Sequence, residues 1–204
     1  MQINESFFKF IIFPIFIYGG WHQYYKWPLH HSPGVLVKEA PQQTLVDPNE
    51  RPIPFSDGVY QPLADYKIRG RVLSIESYYI DRFARIAPYD LALGWGNMSD
   101  SQVIDQLSIH QSGRFYFYSW KSVSPIPVAE IQESSSNIHL IPAGKWILQK
   151  IRKLRTGSLV ELKGKLVRAD FRDGAEMKSS LSRKDTGAGA CEVLYVEDLN
   201  IEQR

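Results

Sequence analysis

A mainly β domain of the α+β class, preceded by a transmembrane helix, is what this sequence predicts. Three observations lead there. Several runs alternate apolar and polar residues with the period of a strand, as in Tyr-Lys-Ile-Arg-Gly-Arg-Val-Leu-Ser-Ile from residue 66. Only one stretch, 144–157, carries a clear helical period. The amino terminus is a long apolar, aromatic segment unlike anything behind it.

That segment, MQINESFFKFIIFPIFIYGGWHQYYKW, has Trp21, Tyr24, Tyr25 and Trp27 at its far edge. Trp and Tyr rings are apolar in body and polar at the tip, so a bilayer interface favours them. Phe7 to Tyr25 comes close to the roughly 20 residues that span a ~30 Å hydrocarbon core. Lys9 can snorkel, and Pro14 is tolerated in a bilayer helix. A cleaved secretory signal is the rival, but it wants small residues after the apolar run, and Trp21 follows Gly19-Gly20 at once. A buried or amphipathic amino-terminal helix is the other alternative. Residues 1–27 are therefore read as a membrane anchor, in a single-pass protein of the bacterial inner membrane with its soluble domain in the periplasm. Lys9 against Lys26 and Lys38 leaves little asymmetry for the positive-inside rule.

Composition bounds the rest. Of 204 residues, about 145 remain for one folded domain. The 44% hydrophobic content supplies a core, and a net charge of +2 does not by itself point to nucleic acid. A single cysteine, Cys191, excludes an intramolecular disulfide framework and a multi-cysteine zinc site. No residue pattern calls for a cofactor or a metal.

Residues 28–63 hold Pro28, Pro33, Pro41, Pro48, Pro52, Pro54 and Pro62. Proline fixes φ and removes a donor, so this linker is expected to be extended, either a stalk or a strap across the domain. The soluble domain is placed at 64–204. A strand is expected over about 66–78 from Ile68, Val72 and Ile75. In 84–107, Pro88 and Gly94-Trp95-Gly96 forbid one long helix; Ser99 or Asp100 caps a short one through Leu107. Aromatic density predicts a strand over 113–120, and another is expected over 136–143. Ile147, Ile151 and Leu154 give the helix over 144–157, with Gly157 as its stop. Val160, Leu162, Gly164 and Leu166 give a strand over 158–171 with a bulge at the glycine. The last strand is expected over 191–201.

This order, with the glycine-bearing strand after Thr156-Gly157, resembles an oligonucleotide/oligosaccharide-binding (OB) barrel, with an irregular sandwich as the alternative. The blocks 30–41, 87–100, 111–120, 135–143 and 179–197 together resemble a family of bacterial proteins of uncharacterised activity with an amino-terminal membrane segment. The resemblance implies an anchor plus one soluble domain and brings no catalytic residue.

Two segments stand out for function. DLALGWGNMSD, 90–100, sets Asp90 and Asp100 around Trp95, a pattern that serves a ligand groove or plain turn and cap chemistry. SSLSRKDTGAGAC, 179–191, offers Arg183 and Asp185 among serines and glycines, an anion nest or a solvated hairpin. Asp90, Trp95, Asp100, Arg183 and Asp185 are the candidate ligand-binding residues, and the two segments are expected to meet on one face. Asp185-Thr-Gly-Ala mimics the aspartic-protease tetrad but lacks the second carboxylate that chemistry requires. Cys191 with His139 or His110 fits nucleophile-and-base chemistry by residue type alone; a lone cysteine entering a strand is ordinarily a small buried hydrophobe. The basic residues Lys145, Lys150, Arg152, Lys153 and Arg155 suit a solvated helix face, anionic lipid headgroups or nucleic acid.

The resulting expectation is a non-enzymatic binding or assembly module of the cell envelope, touching the bilayer through residues 7–25 and other envelope proteins through its domain. A hydrolase using carboxylates of the 90–100 and 183–192 segments and a nucleic-acid-binding OB-like domain are the alternatives.

Overall fold

The computed structural model describes residues 27–182, 185, 187 and 189–202. The expected anchor over 7–25 and Arg183 lie outside the described residues. No helix among the described residues is long and apolar enough to cross a membrane.

The elements are β1 (Gln42–Leu45), β2 (Ile53–Phe55), β3 (Gly58–Ser77), β4 (Tyr89–Gly94), a 3-10 turn (Gly96–Ser99), α1 (Ser101–Ile104), β5 (Ser108–Ser112), β6 (Phe115–Ser119), α2 (Val128–Glu133), β7 (Ser135–Pro142), α3 (Lys145–Ile151), β8 (Leu159–Phe171), β9 (Glu176–Lys178) and β10 (Glu192–Ile201). Eight strands make one mixed sheet in the order β1-β3-β4-β7-β10-β8-β9, with β2 on β3, and β5–β6 is a separate hairpin. All pairs are antiparallel except β7 with β10.

The sheet curls into a partial ring, not a barrel. β3 explains why: it pairs β8 from Gly58 to Arg71 and β4 from Arg71 to Ser77, passing from one neighbour to the other along its length. The inward side chains of the ring, among them Ile68, Leu91, Ile138, Leu162 and Leu194, are fully buried, and α3 adds Ile147, Ile151 and Leu154 to the same core. Their burial at about 25 cal/mol per Å² of apolar surface is the main force closing the ring.

Several expected boundaries move. β3 starts at Gly58 instead of 66, because the Pro-rich segment supplies β1 and β2 to pair with it. β4, β5, β9 and α2 had no expected counterpart. α3 stops at Ile151, six residues before Gly157, and the chain then turns through Leu154 into the core. The irregularity near Gly164 belongs to the partner strand: β10 shifts register between Val196 and Asp198 opposite it. Gly164 is needed for close approach, since a Cβ there would sit 1.9 Å from the Tyr195 carbonyl oxygen.

The segment from Trp27 lies on the ring as a strap. The Leu29 amide donates to the Thr156 carbonyl at 2.8 Å, and His31 Nε2 is 2.7 Å from the Gly157 carbonyl oxygen. Val37 is fully buried, and its carbonyl accepts from the Gly96 amide at 2.8 Å. Arg71, buried under the strap, donates to Ser101 Oγ and the Ser99 carbonyl; Ser101 Oγ in turn donates to the His31 carbonyl.

Candidate functional site

The β5–β6 hairpin covers the outer face of β4 and β7 with Ile109, Tyr116 and Tyr118, which pack on Leu73, Ala92 and Ile131. Its two-residue turn is Gly113-Arg114, both at positive φ (57° and 72°), the geometry of a type I′ turn. That turn drives Arg114 down onto a buried polar cluster. Arg114 Nη1 donates to Asp90 Oδ1 at 2.7 Å and to the Ala87 carbonyl at 2.8 Å. Nη2 is bidentate to Asp81, the Arg114 amide donates to the Tyr78 hydroxyl, and the guanidinium lies 3.9 Å over the Tyr78 ring.

Asp90 on β4 faces His139 on β7 in direct register, and His139 faces Val193 on β10. Asp90 is 0% exposed and His139 7%. His139 Nδ1 is 2.8 Å from Asp90 Oδ1, an ion-pair contact that is out of line for a hydrogen bond, and Asp90 Oδ2 has no hydrogen-bond partner. Burial opposes charge on the imidazole, but the adjacent Asp90 carboxylate and the Cys191 side chain outweigh it; the pKa is pushed up to about 9. Cys191, half-buried just before β10, accepts at Sγ from Asn137 Nδ2 at 3.4 Å. The same Asn137 amide donates to the Arg114 carbonyl, and its Oδ1 accepts from Gln111 at 2.6 Å.

Of the candidate residues, Asp90 and Trp95 are not brought together. Alternation along β4 points Asp90 outward and sends Trp95 into the inner core, where it is buried. Asp100 is the N-cap of α1, accepting from the Gln102 amide, and holds the strap through the Gly34 amide. The single groove of Asp90, Trp95 and Asp100 is therefore corrected to three separate positions. Trp95 and Asp185, from the two segments expected to meet, do line one small cavity of about 40 Å³, with Ser135, Ser136 and Glu192. Asp185 there accepts from Ser180 Oγ at 2.6 Å. Among the described residues no group of three or more His, Cys, Asp or Glu is placed to hold a metal ion.

Sequence reasoning missed Arg114 altogether. The available signal was Ser-Gly-Arg-Phe just ahead of the aromatic-rich run 115–120, a glycine-led hairpin turn.

Comparison of the chain with protein-family models, curated proteins and solved structures finds no match in any of the three.

Proposed function

We propose that the chain is a membrane-anchored, non-enzymatic binding or assembly module of the bacterial cell envelope, with an OB-like ring as its soluble domain. The observation that carries this reading is an exposed apolar rim. Tyr79 and Ile80 are 82% and 98% exposed on the loop after β3. Their neighbours Tyr78 and Asp81 both clasp Arg114 at the hairpin turn, so the loop tip stands beside Phe115. Phe115 and Phe117 are exposed on the outer hairpin face, and His110 stacks on Phe117. Apolar and aromatic groups gathered at a loop and hairpin tip are what a protein partner's surface would cover.

The ring's pairing circuit β3–β4–β7–β10–β8, with α3 between β7 and β8 and β7 parallel to β10, supports the OB-like reading. The faces of the second and third strands, which OB barrels use for oligonucleotides, are here β4 and β7 under the hairpin. That favours a protein partner over nucleic acid. Of the carboxylates proposed for hydrolysis, Asp90 is sealed beneath Arg114, apart from the small cavity that Asp185 and Glu192 line.

For the inner-membrane anchor through residues 7–25, with the domain periplasmic, the support is the strap. It leaves Trp27 beside the turn that follows α3, where the Arg155 guanidinium donates to the Trp27 carbonyl. Trp27 and Trp146 are both exposed, and Lys145, Arg152 and Lys153 lie on the same short helix and its end. Exposed tryptophan with basic side chains suits an anionic headgroup layer.

The test is Ile80→Asp with Phe117→Ser in the full chain. Both sites are exposed, so unfolding stability is expected to change by less than about 0.5 kcal/mol per substitution, while the cellular phenotype matches a gene deletion. A wild-type phenotype would remove the rim from the account.

A further inference from the structure

We infer that the cavity between the β2–β3 turn, the loop before β4 and the β8–β9 turn takes the carboxy-terminal residue of a polypeptide. Arg85 holds its carboxylate, and Phe55 and Phe171 hold its apolar side chain. The ligand class rests on the protein-partner reading above; the site itself does not use the rim. The cavity measures about 420 Å³, within the range of about 300–1,000 Å³ typical of ligand pockets.

Three segments far apart in sequence build it. β2 and β3 meet in a two-residue turn, Ser56-Asp57, because Phe55 pairs with Gly58. Gly58 faces Phe171 at the end of β8, and the Arg172 amide donates to the Asp57 carbonyl at 3.0 Å, so the two turns sit side by side. A Cβ on Gly58 would meet the Asp170 carbonyl oxygen at 1.9 Å, so only glycine allows that approach. The loop 81–86 closes the third side: Arg82 pairs with Asp173 and lies 5.6 Å over the Phe171 ring. Phe55 is fixed by stacking on Tyr60 and by edge contact with Phe171 at 5.4 Å. The walls are set before any ligand arrives, which lowers the ordering cost of binding.

The groups that these walls leave uncommitted define the ligand. Arg85 and Asp57 are exposed at the cavity, and neither side chain has a hydrogen bond or ion pair among the described residues. Beside them, the Phe55 and Phe171 rings and Ile86 supply apolar surface. A carboxy-terminal residue carries the three matching groups on one Cα. Its carboxylate suits the guanidinium fork of Arg85, its amide N–H donates to the Asp57 carboxylate, and its side chain lies on the rings. A nucleic-acid strand fits less well. Arg82 and Arg85 against Asp57 and Asp173 leave the cavity without net charge, and the two carboxylates repel a phosphodiester.

The test titrates the full chain, held in nanodiscs of neutral lipid, with acetyl-dialanyl-phenylalanine and acetyl-dialanyl-leucine. Each peptide is used with a free carboxylate and as its carboxamide, and binding is read by saturation-transfer NMR. At least one acid is expected to bind with a Kd of about 1 mM or below. Its carboxamide is expected to bind about tenfold or more weakly, the loss of a charge-assisted hydrogen bond. Arg85→Gln is expected to weaken the acid by the same factor, and Lys178→Gln, exposed on β9 outside the cavity, to leave it unchanged. No binding of either acid up to about 10 mM, or equal affinity of acid and carboxamide, overturns the inference without recourse to any variant. An Arg85→Gln variant that folds and keeps the wild-type affinity overturns it as well. So does uridine monophosphate binding more tightly than either acid, which would give the cavity to nucleotides. The rim is read by its own substitutions, so a failed titration leaves the rim's partner standing, and a wild-type phenotype there leaves this titration intact.

Discussion

His139 Nδ1 stands 2.8 Å from Asp90 Oδ1, across the register of β7 and β4 and beneath the Arg114 side chain. The pair ties stability to pH. The folded pKa of His139, about 9, lies above its ordinary 6.5. Its contribution is therefore complete below pH 6.5 and is lost as pH rises through 9. Asp90 faces the imidazole and shares its carboxylate with Arg114, with Asp81 behind Arg114. At about 1.4 kcal/mol per unit, the loss is at most on the order of 3 kcal/mol. Urea midpoints of the wild type are expected to fall between pH 6.5 and 9, and those of His139→Gln to lose that slope.

Removing Asp90 tests the same cluster from the other side. Asp90→Asn leaves Arg114 and His139 with one buried carboxylate fewer, and a buried charge stripped of its partner costs about 3–5 kcal/mol. Asp81 is about one-third exposed and meets Arg114 near solvent, so Asp81→Asn is expected to cost about 1 kcal/mol or less. Equal losses from the two substitutions, read by urea unfolding, would contradict the described burial.

Gly157, beneath the strap, is expected to be the glycine on which the strap's seating depends most. It has φ +88°, and a Cβ there would sit 2.1 Å from the Leu29 carbonyl oxygen. Gly174 has nearly the same φ, +85°, with open space around it. Backbone conformation alone costs about 1–2 kcal/mol, so Gly174→Ala measures that part. Gly157→Ala is expected to cost at least about 2 kcal/mol more and to expose the 27–37 segment to limited proteolysis.

How much of this was legible varies with the range of the physics involved. The strands around Ile68 and Leu162 declared themselves by alternation, a local signal. Asp100 was readable as a cap because capping reaches only two or three residues. β4 was hidden: Asp90 interrupts its apolar run, and Pro88 and Gly94 read as punctuation. Its aspartate is stable there only because Arg114 and His139 arrive from elsewhere. The Asp90–His139 pair depends on sheet register, which joins segments about fifty residues apart and leaves no trace in either of them. The meeting of Trp95 and Asp185 was expected from two glycine-rich polar segments, but β4 alternation sends Asp90 away from it.

Attachment through residues 7–25 predicts that the full chain stays with membranes through an alkaline carbonate wash. Release of intact protein into the supernatant would contradict the anchor.

The central claim is that the rim of Tyr79, Ile80, Phe115 and Phe117 meets a protein partner in the envelope. Its most direct test is a photo-crosslinking amino acid placed at position 80 of the full chain in cells, with position 172, an exposed arginine after β8, as the control. The account predicts one discrete protein adduct at position 80, lost when Phe117→Ser is added, and none at position 172. Adducts of equal yield at both positions, or a position-80 adduct indifferent to Phe117→Ser, would contradict it.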